Sequence, residues 1–180
     1  MVKPFNSKYP VIHSDAFVSE TAVIIGDVHI GSQSSIWYNV VIRGDVNSIA
    51  IGCRTNIQDS SLLHVTGKKK ESHPGFMLFI GDNVTVGHRV TLHGCTIGNN
   101  AFIGMNAIVM DGVVIGEGAM VAAGSLVTEG TLIPPGTLWM GSPARLKRPL
   151  SPEEQIRAIE LAESYVNLSI RYKMECSTSN

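Results

Sequence analysis

From Val18 to Ile133 an aliphatic residue returns about every sixth position, a period that suits a stack of short coils rather than long paired strands. Val18, Ile24, Ile30, Ile36 and Ile42 follow at intervals of six, Ile51, Ile57 and Leu63 continue after three extra residues, and Ile80, Val86 and Leu92 resume after a longer insertion. One residue is then dropped, and Ile97, Ile103, Val109, Ile115, Val121, Val127 and Ile133 keep the spacing of six. Four places after most of these aliphatics the side chain is small, as at Ala22, Ser34, Thr55, Ser61, Ala101, Ala107, Ala119 and Ser125. An aliphatic that fills a narrow interior and a small residue at a tight corner are what stacked short parallel strands require, and a fixed hexapeptide period is the signature of a β-helix. A sandwich of alternating strands is the competing reading; the unbroken runs of five and seven aliphatics weigh against it.

The 180 residues suffice for one domain. A formal net charge of −1 argues against nucleic acid as a partner, and no apolar run approaches the roughly 20 residues needed to cross a membrane. Cys53, Cys95 and Cys176 are odd in number, lack zinc-finger spacing and follow no secretory leader, so free thiols in a reducing, cytoplasmic setting are expected. Residues 1–17 lack the beat and read as an N-terminal cover, 18–145 as the β-helix domain of about six coils, and 146–180 as a C-terminal α-helix and tail. Pro134, Pro135 and Pro143 mark the exit from the coils. Ser151-Pro152-Glu153-Glu154 reads as a helix start with a Ser cap and a Glu three residues on. Ile156, Ile159, Tyr165, Val166 and Tyr172 supply the apolar stripe, and residues 174–180 are expected to fray.

Counting repeats in threes places the polar residues. Repeats whose ordinals differ by three share a face, about 4.8 Å apart, if residues 67–79 form a loop bulging from the eighth repeat. Arg43, His64 and His93 each follow an inward aliphatic of one face and so form an outward column. Two imidazoles in adjacent rungs suit one ion, since Zn–N bonds of about 2.0–2.1 Å bring ligand nitrogens roughly 3.3 Å apart. His88 belongs to a neighbouring face, and a rigid prism does not easily bend it round. A neighbouring subunit could supply it, so that in a cyclic trimer each interface pairs two histidines of one chain with one of the next.

The strings Arg43-Gly44-Asp45, Asn56-Ile57-Gln58-Asp59, Val86-Gly87-His88 and Leu92-His93-Gly94-Cys95, with His64 between them, resemble the γ-class carbonic anhydrase family. The resemblance runs from the N-terminal cover through Gly141-Ser142-Pro143-Ala144 to the terminal helix. It implies a left-handed parallel β-helix, a homotrimer, CO2 and bicarbonate as substrate and product, and a divalent metal, zinc with iron or cobalt as alternatives. The metal would be held by His64 and His93 of one subunit and His88 of the next. Arg43 and Asp45 would form an ion pair across the interface, Gln58 would hydrogen-bond the hydroxide or bicarbonate, and Asp59 would support the interface network. Three neutral imidazoles and an open position can bring the pKa of bound water to about 7, giving a nucleophile for CO2.

The chain departs from the family's most active members where a proton must leave. A glutamate usual after the Arg-Gly-Asp string is Val46 here, and the loop after the first histidine reads Gly67-Lys68-Lys69-Lys70-Glu71-Ser72-His73 rather than acidic. Glu71 or His73 is the candidate shuttle. Blander readings stand beside these: His13 and His29 as solvated surface histidines, Arg43–Asp45 as an ion pair without a catalytic role, and Lys68–Lys70 as a solvated loop tip. Cys95 reads as a packing residue, because a thiolate would offset the metal's charge, and Tyr165 as helix core. Two other functions fit the same features: a metal-clamped trimer serving as a scaffold, and a hexapeptide acyltransferase using a histidine base and acyl-CoA.

Overall fold

The aliphatic column forms the interior of a parallel β-helix of about 7 turns. This computed structural model describes residues 1–68 and 74–177; Lys69, Lys70, Glu71, Ser72, His73, the side chains of Cys176 and Ser177, and residues 178–180 lie outside the described residues. Each short strand pairs in parallel with the strand one coil away. On one face Ile24, Ile42, Leu63, Leu92, Val109 and Val127 are successive partners. On the second, Val18, Ile36, Ile57, Val86, Ile103 and Val121 stack down to Trp139, and on the third Ile12, Ile30, Ile51, Ile80, Ile97, Ile115 and Ile133 do so. These ladders bury the interior side chains of each rung against those of the next, and each fully buried Leu, Ile or Val contributes about 1.5–3 kcal/mol by leaving water.

The turn beyond the expected six comes from the N-terminal segment. Val2–Lys3 pairs with Ile24 and Ile25, and Val11–Ile12 pairs with His29 and Ile30. Its main chain extends the sheet while Val2, Phe5, Tyr9 and Val11 stay largely exposed, which is why no hydrophobic beat announces it. At the other end Thr137–Gly141 turns back antiparallel against Ala144–Pro149, covering an edge that would otherwise offer unpaired main-chain groups.

The two insertions in the beat leave the coil register intact. Gly26 pairs with Gly44, and the next pair is Val28 with Ile49, so residues 45–48 bulge opposite Asp27 alone. Gly26 is obligatory there: its φ is +82° and a Cβ would lie 2.3 Å from the Gly44 carbonyl oxygen. The second insertion leaves the coil after His64 and is closed at its base by an antiparallel bridge between Thr66 and Phe76.

The terminal helix, Pro152–Ser177, starts at the predicted cap. Ser151 N–H donates to Glu154 Oε2 at 2.9 Å, and Glu154 N–H donates to Ser151 Oγ at 3.3 Å. The helix runs over the face that carries Phe17–Val18, Ser35–Ile36, Asn56–Ile57 and Thr85–Val86. Its buried side chains are Ala158, Ala162, Val166 and Ser169, whereas Ile156 and Ile159 are exposed, a correction to the expected stripe. The bulk at this contact comes partly from the coil: Trp37 meets Tyr165 and Tyr172 edge-on, with ring centroids 5.5 and 5.1 Å apart, and Phe17 meets Tyr172 at 5.9 Å. No helix among the described residues is long and apolar enough to cross a membrane.

Candidate metal centre

His64 and His93 are register partners in adjacent strands, and each is carried outward by the buried leucine before it, Leu63 or Leu92. The rings lie edge to face with His64 Nδ1 3.0 Å from His93 Nε2. The outer nitrogen of each ring meets a carboxylate: His64 Nε2 lies 3.1 Å from Asp45 Oδ1, and His93 Nδ1 lies 2.7 Å from Asp111 Oδ1. An ionised carboxylate only accepts, so both outer nitrogens carry the proton. With both rings neutral, two lone pairs face each other at 3.0 Å. That pairing is repulsive between neutral rings and becomes attractive when a cation takes both, and the spacing is close to the roughly 3.3 Å of two nitrogens on a tetrahedral zinc. The donor set therefore fits a divalent ion, with two positions filled.

Asp45 reaches His64 because the bulge folds it back over the strand. Arg43 donates to the same carboxylate, an ion pair made within the chain. Burial pushes the Asp45 carboxyl upward, but hydrogen bonds from Arg43 and His64 and the charge of Arg43 outweigh it and hold the group below its ordinary value. For His64, burial is the largest influence and lowers the pKa; Asp45 opposes it, while the charges of Arg43 and His93 lower it further. A neutral imidazole is the ligating form. Since its folded-state pKa is depressed, the stability that comes from keeping His64 neutral is complete above pH 6.5 and is lost as the pH falls through the folded value. In metal-free protein the His64 imidazole is expected to titrate below 6.5 by NMR; a midpoint above that value would contradict the arrangement.

His88 lies on the neighbouring face, two residues after Val86, in the ladder of Ile57 and Ile103. Its Nδ1 is 2.8 Å from Asp59 Oδ2, one coil away, and Asp59 Oδ1 accepts the Tyr38 N–H at 3.3 Å. The same proton argument leaves the lone pair of a neutral His88 on Nε2. Among the described residues no group of three His, Cys, Asp or Glu side chains converges within the chain. Gln58 is buried beside this face and donates through Nε2 to Asn56 Oδ1 at 3.1 Å; Asn56 in turn donates to Thr85 Oγ1 at 2.9 Å.

Cys95 is buried and its thiol is pushed strongly upward, first by burial and then by the charge of Asp111, so it packs as a neutral thiol. Tyr165 is raised by burial and, to a lesser degree, by the charge of Asp59, and its ring meets Trp37 edge-on. Glu71 and His73, the candidate proton shuttles, lie outside the described residues, and Val46 stands exposed on the bulge next to Asp45. Two residues that the sequence reading did not single out also stand at the site, Asp111 beside His93 and Thr66, whose hydroxyl donates to Asp111 Oδ2 at 2.5 Å, while Asn56, named there only as part of a motif, stands beside Gln58.

Residues 94–129 match the family described as bacterial transferase hexapeptide (six repeats). Over 172 residues the chain is 49% identical to gamma carbonic anhydrase 2, mitochondrial, of Arabidopsis thaliana, covering 96% of this chain and 62% of that protein. It is 47% identical over 174 residues to a carbonic anhydrase of Geobacillus kaustophilus, covering 96% of this chain and 91% of the relative. The chain belongs to the γ-class carbonic anhydrase family. The plant relative is longer, and this γ-class chain spans less than two thirds of its length. Among solved structures, a hexapeptide transferase family protein from Anaplasma phagocytophilum superposes with a TM-score of 0.88 at 45% identity, over 96% of this chain and 98% of that one.

Proposed function

We propose that this protein is a carbonic anhydrase that hydrates CO2 reversibly to bicarbonate at metal sites shared between the subunits of a homotrimer. The facing lone pairs of His64 Nδ1 and His93 Nε2, each with its opposite ring nitrogen committed to a carboxylate, carry the reading. His64 and His93 would hold the ion from one chain and His88 from the next, zinc, iron and cobalt all being compatible with imidazole ligands. An ion held by three neutral imidazoles with an open position supplies the Lewis acidity that brings the pKa of water to about 7. The relatives named carbonic anhydrase support the reaction, and support a metal without specifying which.

The protein's own groups do the rest. Asp45, Asp59 and Asp111 hold the three imidazoles in the tautomers that present lone pairs. Arg43 partly neutralises Asp45, keeping that carboxylate from drawing a cation away from the rings. Gln58, fixed through Asn56, would orient the reacting oxygen or the bicarbonate by hydrogen bonding. The proton produced must then reach solvent without a carboxylate at position 46. Residues 18–145 would form the working β-helix, with 1–17 as its cover and 146–180 clamping its flank. A reducing compartment, the cytoplasm, suits the free Cys53 and Cys95.

Purified protein is expected to run as a trimer, to carry about one divalent ion per chain, and to accelerate CO2 hydration in stopped-flow assays with its thiols reduced. Coenzyme A should not bind. Metal without hydration would leave the scaffold reading, which Val46 favours; coenzyme A binding without metal would replace both with an acyltransferase.

A further inference from the structure

We propose that Asp111 is a positioning residue that selects the ligating nitrogen of His93, and that Thr66 ties this selection to the base of the protruding loop. The proposal rests on the reading of His93 as a metal ligand. A histidine free to choose its tautomer presents the wrong nitrogen part of the time, and a carboxylate on one ring nitrogen removes that choice while raising the basicity of the other.

The local backbone is shaped around this contact. Because one residue is dropped after Leu92, Thr91 and Leu92 pair with Ile108 and Val109, which sets Met110 under His93 and Asp111 under Gly94. Asp111 must therefore reach diagonally upward to His93. Gly94 leaves it room: a Cβ there would sit 2.3 Å from Asp111 Oδ1 and 2.6 Å from Phe76 Cβ, at a φ of +50°. The Gly94 N–H donates to the His64 carbonyl at 3.0 Å, so the glycine that admits the carboxylate also joins the two histidine rungs. Both carboxylate oxygens are engaged: Oδ1 by His93 at 2.7 Å and Oδ2 by the Thr66 hydroxyl at 2.5 Å. Thr66 in turn bridges Phe76 through two main-chain bonds, 3.0 and 2.9 Å, that close the loop. Phe76 lies against Gly94 and Gly112, so the loop base, the carboxylate and the ligand form one packed unit. Asp45 performs the matching task for His64 from the other side, and the two carboxylates together aim the ring nitrogens at one point.

The test compares wild type, Asp111→Ala, Asp111→Asn and Thr66→Val. Zinc affinity is measured by competition with a chromophoric chelator, and the His93 tautomer is read from long-range 15N–1H spectra of the metal-free protein. Asp111→Ala is expected to weaken zinc binding about 10–100-fold and to move His93 from the Nδ1–H tautomer to a mixture. Asp111→Asn should fall between, since its amide oxygen still accepts from Nδ1–H, and Thr66→Val should show a smaller loss with the tautomer largely kept. Unchanged affinity in Asp111→Ala, or a loss of affinity with the tautomer unmoved, would overturn the proposal. If wild type itself binds no zinc, the metal reading fails, and the tautomer spectra alone decide whether Asp111 orients His93.

Discussion

His88→Ala is expected to abolish both metal binding and CO2 hydration while leaving the coil folded, because His88 is 41% exposed at its side chain and sits on a face apart from the other two histidines. Removing one of three imidazoles leaves a two-ligand site, too weak to retain an ion through purification. The sharper form of the prediction uses mixed trimers. A His88→Ala chain keeps the His64–His93 pair, and a His93→Ala chain keeps His88; each alone should be inactive. Co-refolded in equal amounts, a cyclic trimer with sites between chains regains about a quarter of its sites, since that fraction of interfaces joins an intact pair to an intact His88 in the required order. Stopped-flow activity and bound metal should return together at about that level. A site contained within one chain cannot be complemented, so mixed preparations that stay dead would count against the shared site, and a His88→Ala protein that keeps metal and activity would remove His88 from it.

How much of this could be read from the sequence depends on which forces set each feature. The interior column was legible because one geometric constraint, a narrow triangular bore, is imposed on every rung, and Ile24, Ile42, Leu63 and Leu92 satisfy it alike. The pairing of His64 with His93 was legible for the same reason. After both insertions the chain returns to register, so counting repeats in threes survives them. The N-terminal turn was not legible, because Val11 and Ile12 join by main-chain pairing and Val11 keeps its side chain in solvent. The helix stripe was misjudged at Ile156 and Ile159 since periodicity within a helix does not reveal the surface it meets. Here Phe17 and Trp37 on the coil meet Tyr165 and Tyr172 of the helix, and the buried helix positions are Ala158, Ala162, Val166 and Ser169. Asp111 was hidden by its diagonal reach: Met110, rather than Asp111, lies under His93 by register. The signal that could have exposed it is Gly94, a residue without a side chain immediately after His93, one coil from a carboxylate.

The same reasoning makes Leu63→Ala the substitution with the largest expected effect on stability. Leu63 is fully buried and pairs with Ile42 on one side and Leu92 on the other. A rigid coil of short strands cannot collapse around a missing side chain, as its rungs are held at the ladder spacing by main-chain hydrogen bonds, so the cavity term stays nearly whole. The expected cost is about 2–5 kcal/mol, read as a lower denaturant midpoint at fixed protein concentration. Leu63 also anchors the strand that carries His64, and loosening it should spread the His64 Nδ1 to His93 Nε2 separation over a range of values. Zinc should therefore bind more weakly than to wild type even under conditions where the variant is fully folded, and saturating zinc should recover part of the lost stability, because ligand that binds only the folded state stabilises it by mass action. Leu92→Ala would make the same changes through His93. Val127→Ala, in the same column but two rungs below His93, should lower stability and leave zinc affinity at the wild-type value. Equal losses of affinity at Leu63 and Val127 would mean that the coil transmits disorder along its length and that the histidine rungs are not held locally.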